Sequence, residues 1–220
     1  MTFFTPDRFH SQSAAFTTLL LLTIASACNL PNRTVATPTK TVSYSEPGWI
    51  LHQKTTEGYG IALPNRWTPI SMESDKLEAS VKAATQDPAT VSSLTIFARN
   101  RFDAGVDFLA LDSSGSAMLQ VSRRQTPTAS VNIDSLAEVW SRNVSAEGAQ
   151  LLGPVVHTRV KLPMGEAQEI TYITRESATT QYLVHRDYNV YILTLSTAPD
   201  QAARYASVFG KIGQSFQTLH

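Results

Sequence analysis

Val156-His157-Thr158-Arg159-Val160-Lys161-Leu162-Pro163-Met164-Gly165-Glu166-Ala167 carries the cleanest alternation in the chain and decides how it folds. Successive side chains of a strand point to opposite faces. Val156, Thr158, Val160 and Leu162 therefore fall on one side, with His157, Arg159 and Lys161 on the other. Pro163-Met164-Gly165-Glu166 is turn chemistry and leads into a second strand over 167–175. Two more strands, 179–186 and 190–197, meet across Asp187-Tyr188-Asn189. A parallel crossover needs roughly a dozen residues or more, and these turns are far shorter, so the sheet is expected to be mostly antiparallel.

Working outward, strands are expected at 49–53 and 59–63, separated by Thr55-Thr56-Glu57-Gly58. Pro64-Asn65-Arg66 turns the chain before Trp67-Thr68-Pro69-Ile70. Leu77, Val81 and Ala84 have helical spacing. Asp87-Pro88 opens a second helix with Val91, Leu94, Phe97, Ala98 and Phe102 on one stripe, and Gly105 stops it. Strands over 108–111 and 118–124 flank Ser113-Ser114-Gly115-Ser116. Ser135-Leu136-Ala137-Glu138 has the form of a capping box. It places Leu136, Val139, Trp140 and Val144 on the inner face of a third helix. A last helix follows Pro199-Asp200, with Ala202, Tyr205, Phe209, Ile212 and Phe216 inward. The class is α+β, with helices covering both faces of one sheet.

The N-terminus is an address. An apolar run over 14–27 ends in Ala25-Ser26-Ala27-Cys28. At ~1.5 Å per residue the run falls short of a hydrocarbon core of ~30 Å, so it reads as an export leader. Residues 1–27 form the lipoprotein signal peptide, 28–48 a Thr/Pro-rich disordered tether, and 49–218 a single domain. Cleavage between Ala27 and Cys28 would expose the only cysteine for acylation, and two acyl chains give stable anchoring. Ala25-Ser26-Ala27 is also a site for ordinary signal peptidase, which would release the chain without lipid. With no second cysteine, neither a disulfide nor a thiolate metal cluster is available.

Lys plus Arg and Asp plus Glu number 18 each, which argues against a nucleic-acid binder. Charged residues make up 16% of the chain, so much of the surface is expected to be polar but uncharged.

Gly58-Tyr59-Gly60-Ile61-Ala62-Leu63-Pro64-Asn65-Arg66-Trp67 resembles the opening strand and turn of the PsbP-like family. Leu162-Pro163-Met164-Gly165-Glu166-Ala167 resembles the hairpin turn of that family's bacterial lipoproteins. The stretches 191–196 and 209–216 resemble their final strand and helix, so the similarity covers roughly 49–218. The resemblance implies an α/β/α sandwich around an antiparallel sheet. The family includes an extrinsic subunit of the photosystem II oxygen-evolving complex and many lipoproteins of unassigned role. It implies no enzymatic activity. The metal-associated residues of the photosystem members have no matching motif here, so no functional residue is carried over.

The functional expectation is a lipid-anchored extracytoplasmic binding or assembly-accessory protein of the bacterial cell membrane, without catalytic activity or cofactor. Its partners are the membrane, through acylated Cys28, and a protein or small molecule that the sequence does not name. His157, Arg159 and Lys161 are the candidate partner surface, and Trp67, just after a turn, is the candidate cleft residue. His52, His157 and His185 lie on separate strands without metal-ligand spacing, so no metal site is expected. Two alternatives remain: an extrinsic photosystem-type subunit in a photosynthetic host, or a secreted hydrolase with dispersed catalytic residues. Ser114-Gly115-Ser116 lacks the Gly-x-Ser-x-Gly setting of a nucleophile elbow and reads as a turn.

Overall fold

The computed structural model describes residues 46–73, 75–85, 88–103, 105–146 and 150–219. The signal peptide, Cys28 and the tether up to residue 45 lie outside the described residues. So does the side chain of Phe102.

The elements run β1 (Trp49–Lys54), β2 (Tyr59–Pro64), β3 (Trp67–Ile70), α1 (Leu77–Ala84), α2 (Pro88–Asp103), β4 (Val106–Asp112), β5 (Ala117–Gln125), α3 (Ile133–Ala146), β6 (Val156–Leu162), β7 (Gly165–Ile173), β8 (Ala178–Arg186), β9 (Asn189–Thr197), α4 (Ala202–Ser215) and β10 (Gln217–Thr218). Seven strands form one sheet in the order β3-β4-β5-β9-β8-β7-β6, and β1-β2-β10 form a second. Every strand pairing among the described residues is antiparallel. The β8–β9 hairpin closes between Arg186 and Asn189, and Asp187 takes a φ of 53°, which an aspartate tolerates better than most residues.

Strand alternation sorts the core into layers. On one face of the large sheet, Phe108, Leu119, Val121, Val184, Leu193 and Leu195 meet Tyr205, Phe209 and Ile212 of α4 and Tyr59, Ile61 and Leu63 of β2. On the other face, Leu109 and Leu111 pack with Leu77 and Val81 of α1 and Ala98 of α2. Beside them, Ile170, Leu183 and Ile192 pack with Ile133 and Ala137 of α3. The result is an α/β/α sandwich in which the small sheet helps α4 cover its side. Ser215, at the end of α4, joins helix to small sheet. Its Oγ accepts from the Ala62 N–H at 2.9 Å, while its hydroxyl lies 3.1 Å from the Ala62 carbonyl.

Two local expectations change, both in α3, and two strands gain detail. Trp67–Ile70 is an edge strand, and Pro69 is tolerated there because β4 supplies its only neighbour. Helix α3 starts at Ile133, with Asn132 Oδ1 accepting from the backbone N–H groups of Asp134 and Ser135. Asn132, not Ser135, is therefore its cap. Val139 is 45% exposed, since the inner stripe runs Ile133, Ala137, Trp140, Val144. On β6, Val156 is half exposed and burial begins only at Val160 and Leu162.

Candidate functional site

The edge strand β6 presents the sequence-predicted trio. His157, Arg159 and Lys161 are all exposed, on the face that α3 covers. Arg159 is bound by Glu166 of β7 and lies 3.7 Å from Asp134 of α3. These two carboxylates offset much of the basic stripe. The Glu166 hydrogen bond is the main cause that holds the Arg159 guanidinium above its ordinary range.

Trp67 is in the core, 3% exposed, and its Nε1 has no hydrogen-bond partner among the described residues. It pairs across the strands with Asp112, a buried carboxylate. Ser114 donates to Asp112 Oδ2 at 2.5 Å, Tyr205 donates to the same oxygen, and Arg66 Nε lies 3.6 Å from Oδ1. Burial, followed by the hydrogen bond to Asp112, pushes the Tyr205 phenol up, so it is protonated and donates. Ser114 is engaged by Asp112 and Tyr205. This geometry ties the β4–β5 turn to α4. Sequence pattern did not single out Asp112, although an aspartate closing so apolar a strand was a usable signal.

A second buried polar group joins the two sheets. The register of β4 against β5 shifts between Val106 and Phe108, placing Asp107 at a bulge. Among the described residues its Oδ2 is buried without a hydrogen-bond partner, as is Tyr59 Oη on β2. Glu57 accepts at its carbonyl from Tyr191 Oη at 3.1 Å and Arg123 Nη1 at 3.4 Å. Burial pushes Tyr59 far up, reinforced by the charges of Asp107 and Glu57. Burial also raises Asp107, against the pull of Arg123, and lowers His52, whose ring faces Phe108 at 5.8 Å.

These shifts set opposite pH dependences. A carboxyl raised on folding contributes stability that is complete below its ordinary range and lost as pH rises through the raised value. A histidine lowered on folding contributes stability that is present at neutral pH and lost as pH falls below its ordinary value. Asp107→Asn should therefore raise the melting temperature at pH 7 and leave it unchanged at low pH. His52→Gln should reduce the loss between neutral and mildly acidic pH. Thermal melts across the pH range check both, and an Asp107→Asn effect of equal size at every pH would contradict the first.

Among the described residues, a concavity of about 650 Å³ lies between α1 and α2 and includes Glu78 and Lys82. A further one, of about 380 Å³, lies on the α4 side of the large sheet beside β6. Among the described residues no group of three His, Cys, Asp or Glu side chains could hold a metal ion. His52, His157 and His185 sit on β1, β6 and β8. No helix of the described residues is long and apolar enough to cross a membrane.

Helices on both faces of an antiparallel sheet, with a small β1-β2-β10 sheet beside α4, give a PsbP-like fold. The chain is similar to the solution structure of cyanobacterial PsbP from Synechocystis sp. PCC 6803, with a TM-score of 0.51 and 14% identity. That likeness covers 81% of this chain and 97% of the cyanobacterial one. It also has a more distant likeness to LpqN of Mycobacterium tuberculosis, involved in cell envelope biogenesis (TM-score 0.36, 9% identity, 80% of each chain). A protein of unknown function from Pseudomonas aeruginosa, a putative regulator, matches 45% of this chain and 70% of its own (TM-score 0.34, 20% identity). No protein-family model matches the sequence, and no curated protein sequence matches it.

Proposed function

We propose that the protein is a lipid-anchored, extracytoplasmic accessory module that binds a partner rather than turning over a substrate. The observation that carries this reading is the apolar leader ending in Ala25-Ser26-Ala27-Cys28, followed by a Thr/Pro-rich stretch and then a folded domain. Its support includes the PsbP-like fold. At the start of the domain, Glu46 pairs with Lys211 of α4 at 2.5 Å, and Lys211 lies 5.9 Å over the Trp49 ring. A tether arriving at Glu46 thus meets the domain at α4.

Cys28→Ala should leave the chain unacylated and shift it from the membrane fraction to the soluble extracytoplasmic fraction. Fractionation with intact-mass analysis reads both effects. Unchanged membrane retention without acylation would refute the anchor. A second reading, an extrinsic photosystem-type subunit, draws on the likeness to cyanobacterial PsbP. In a photosynthetic host, co-purification with photosystem II would favour it over the general reading.

A further inference from the structure

We infer that the groove beside β6 binds a phospholipid acyl chain from the membrane to which the protein is anchored. This inference rests on the anchored reading for the source of the lipid. The groove itself is a property of the domain. Its floor is the large sheet at Thr171 and Ala178, one wall is α4 at Ala202 and Ala206, and the opposite lip is Leu152 and Val156.

The groove exists because α4 changes character along its length. Tyr205, Phe209 and Ile212 fill the space over the sheet, whereas Ala202 and Ala206 are too short to reach it. Its volume of about 380 Å³ lies in the range of small-ligand sites, roughly 300–1,000 Å³. No Asp, Glu, Lys, Arg or His lines it, which disfavours a charged ligand. Thr171 and Thr180 face each other across β7 and β8 on its floor. Their hydroxyls can donate to an ester oxygen. At the mouth, Leu152 is 61%, Val156 50% and Ile173 41% exposed. They are three of the seven large hydrophobic side chains exposed among the described residues. Apolar surface gathered in this way marks a site of contact with an apolar partner.

The tether decides the occupant. The chain between Cys28 and Glu46 spans at most about 65 Å when extended, at ~3.3–3.6 Å per residue. It ends at Glu46 against α4, the helix that walls the groove. A tether of that length leaves this mouth within reach of the bilayer that holds the anchor. There, acyl chains are the apolar ligand at highest local concentration.

The test uses the exported chain carrying Cys28→Ser, cut after Ala27 and hence free of its own lipid. It is mixed with phosphatidylcholine vesicles containing pyrene-labelled phosphatidylcholine. Uptake of single lipids separates pyrene groups and converts excimer into monomer emission. The Cys28→Ser chain should raise monomer emission with little dependence on salt. Adding Ala206→Phe, which fills the groove, should weaken uptake by about tenfold or more. Thr180→Val leaves the packing in place and should weaken it less, and it serves if Ala206→Phe fails to fold. No uptake by the Cys28→Ser chain would overturn the inference, as would uptake unchanged by both groove variants. So would a dimer, seen by sedimentation, that Ala206→Phe dissociates, because the groove would then be filled by a second copy. Intact mass of the wild-type chain reports separately on acylation of Cys28. The anchor can thus fail while the groove stands, and the reverse.

Discussion

Gly213→Ala should destabilise the protein by about 1–3 kcal/mol, against the direction that helix propensity alone predicts. Within a helix, alanine is favoured over glycine by ~0.5–1 kcal/mol, and Gly213 lies within α4. A Cβ at this position would stand 2.7 Å from both Cε2 and Cζ of Tyr182 and 3.2 Å from its Oη. The ring cannot give way easily: Tyr182 is 3% exposed and its hydroxyl donates to Glu169 at 2.7 Å. Burial pushes that phenol far up, so it remains a donor throughout the working pH range. The glycine is therefore the close contact by which α4 seats on β8.

Gly210, one turn earlier, has nothing within 4 Å of the same hypothetical atom. Gly210→Ala should stabilise by up to ~1 kcal/mol, a few degrees in melting temperature for a chain of this size. Opposite signs for two identical substitutions in one helix separate packing from propensity. Equal stabilisation by both would disprove the close contact. In a Tyr182→Ala background the cost of Gly213→Ala should shrink, a coupling that a double-mutant cycle measures directly.

The same helix shows what was legible in the sequence. Tyr205, Phe209, Ile212 and Phe216 have helical spacing and are all buried, so the inner face of α4 is readable residue by residue. The strands over 156–197 were equally plain, because period-two alternation and short turns allow only one pairing scheme. What pairing alone does not disclose is which sheet a hairpin joins. β1 and β2 look like any other hairpin, and only the two-residue β10 and the Ser215 contact set them apart in a sheet of their own. At α3, Ser135 and Asn132 are both good capping residues, and the burial of Ile133 selects the earlier start.

The candidate site was less legible for a related reason. His157, Arg159 and Lys161 share a face by local spacing, but the carboxylates that bind Arg159 come from β7 and α3. Trp67 follows a turn, yet its strand pairing with β4 buries it. The groove is assembled from the 152–156 loop, β7, β8 and α4, each contributing small or apolar residues that are ordinary in sequence. Chemistry spread over segments so far apart has no local signature.

Asp112→Ala should cost about 3 kcal/mol, the larger share from the polar atoms it strands rather than from lost charge pairing. Asp112 is 2% exposed and its Oδ2 takes hydrogen bonds from both Ser114 and Tyr205. Removing the carboxylate leaves the fully buried Tyr205 with only the Ser114 hydroxyl, at 3.3 Å. Arg66 contributes little to the total: its side chain is 44% exposed and the 3.6 Å contact is screened by solvent. Asp112→Asn keeps an acceptor for Tyr205 and the side-chain volume, so its cost should be well under half that of the alanine variant. Tyr205→Phe removes one donor but leaves Ser114 on the carboxylate, and should fall between them. The backbone turn that Gly115 makes by donating to the Asp112 carbonyl at 2.7 Å is unaffected by all three. Chemical denaturation of the three variants tests the order, and an alanine variant within ~0.5 kcal/mol of wild type would remove this cluster from the account of how α4 is held. Because α4 also walls the groove, Asp112→Ala would be expected to loosen both the fold and the surface proposed to take lipid.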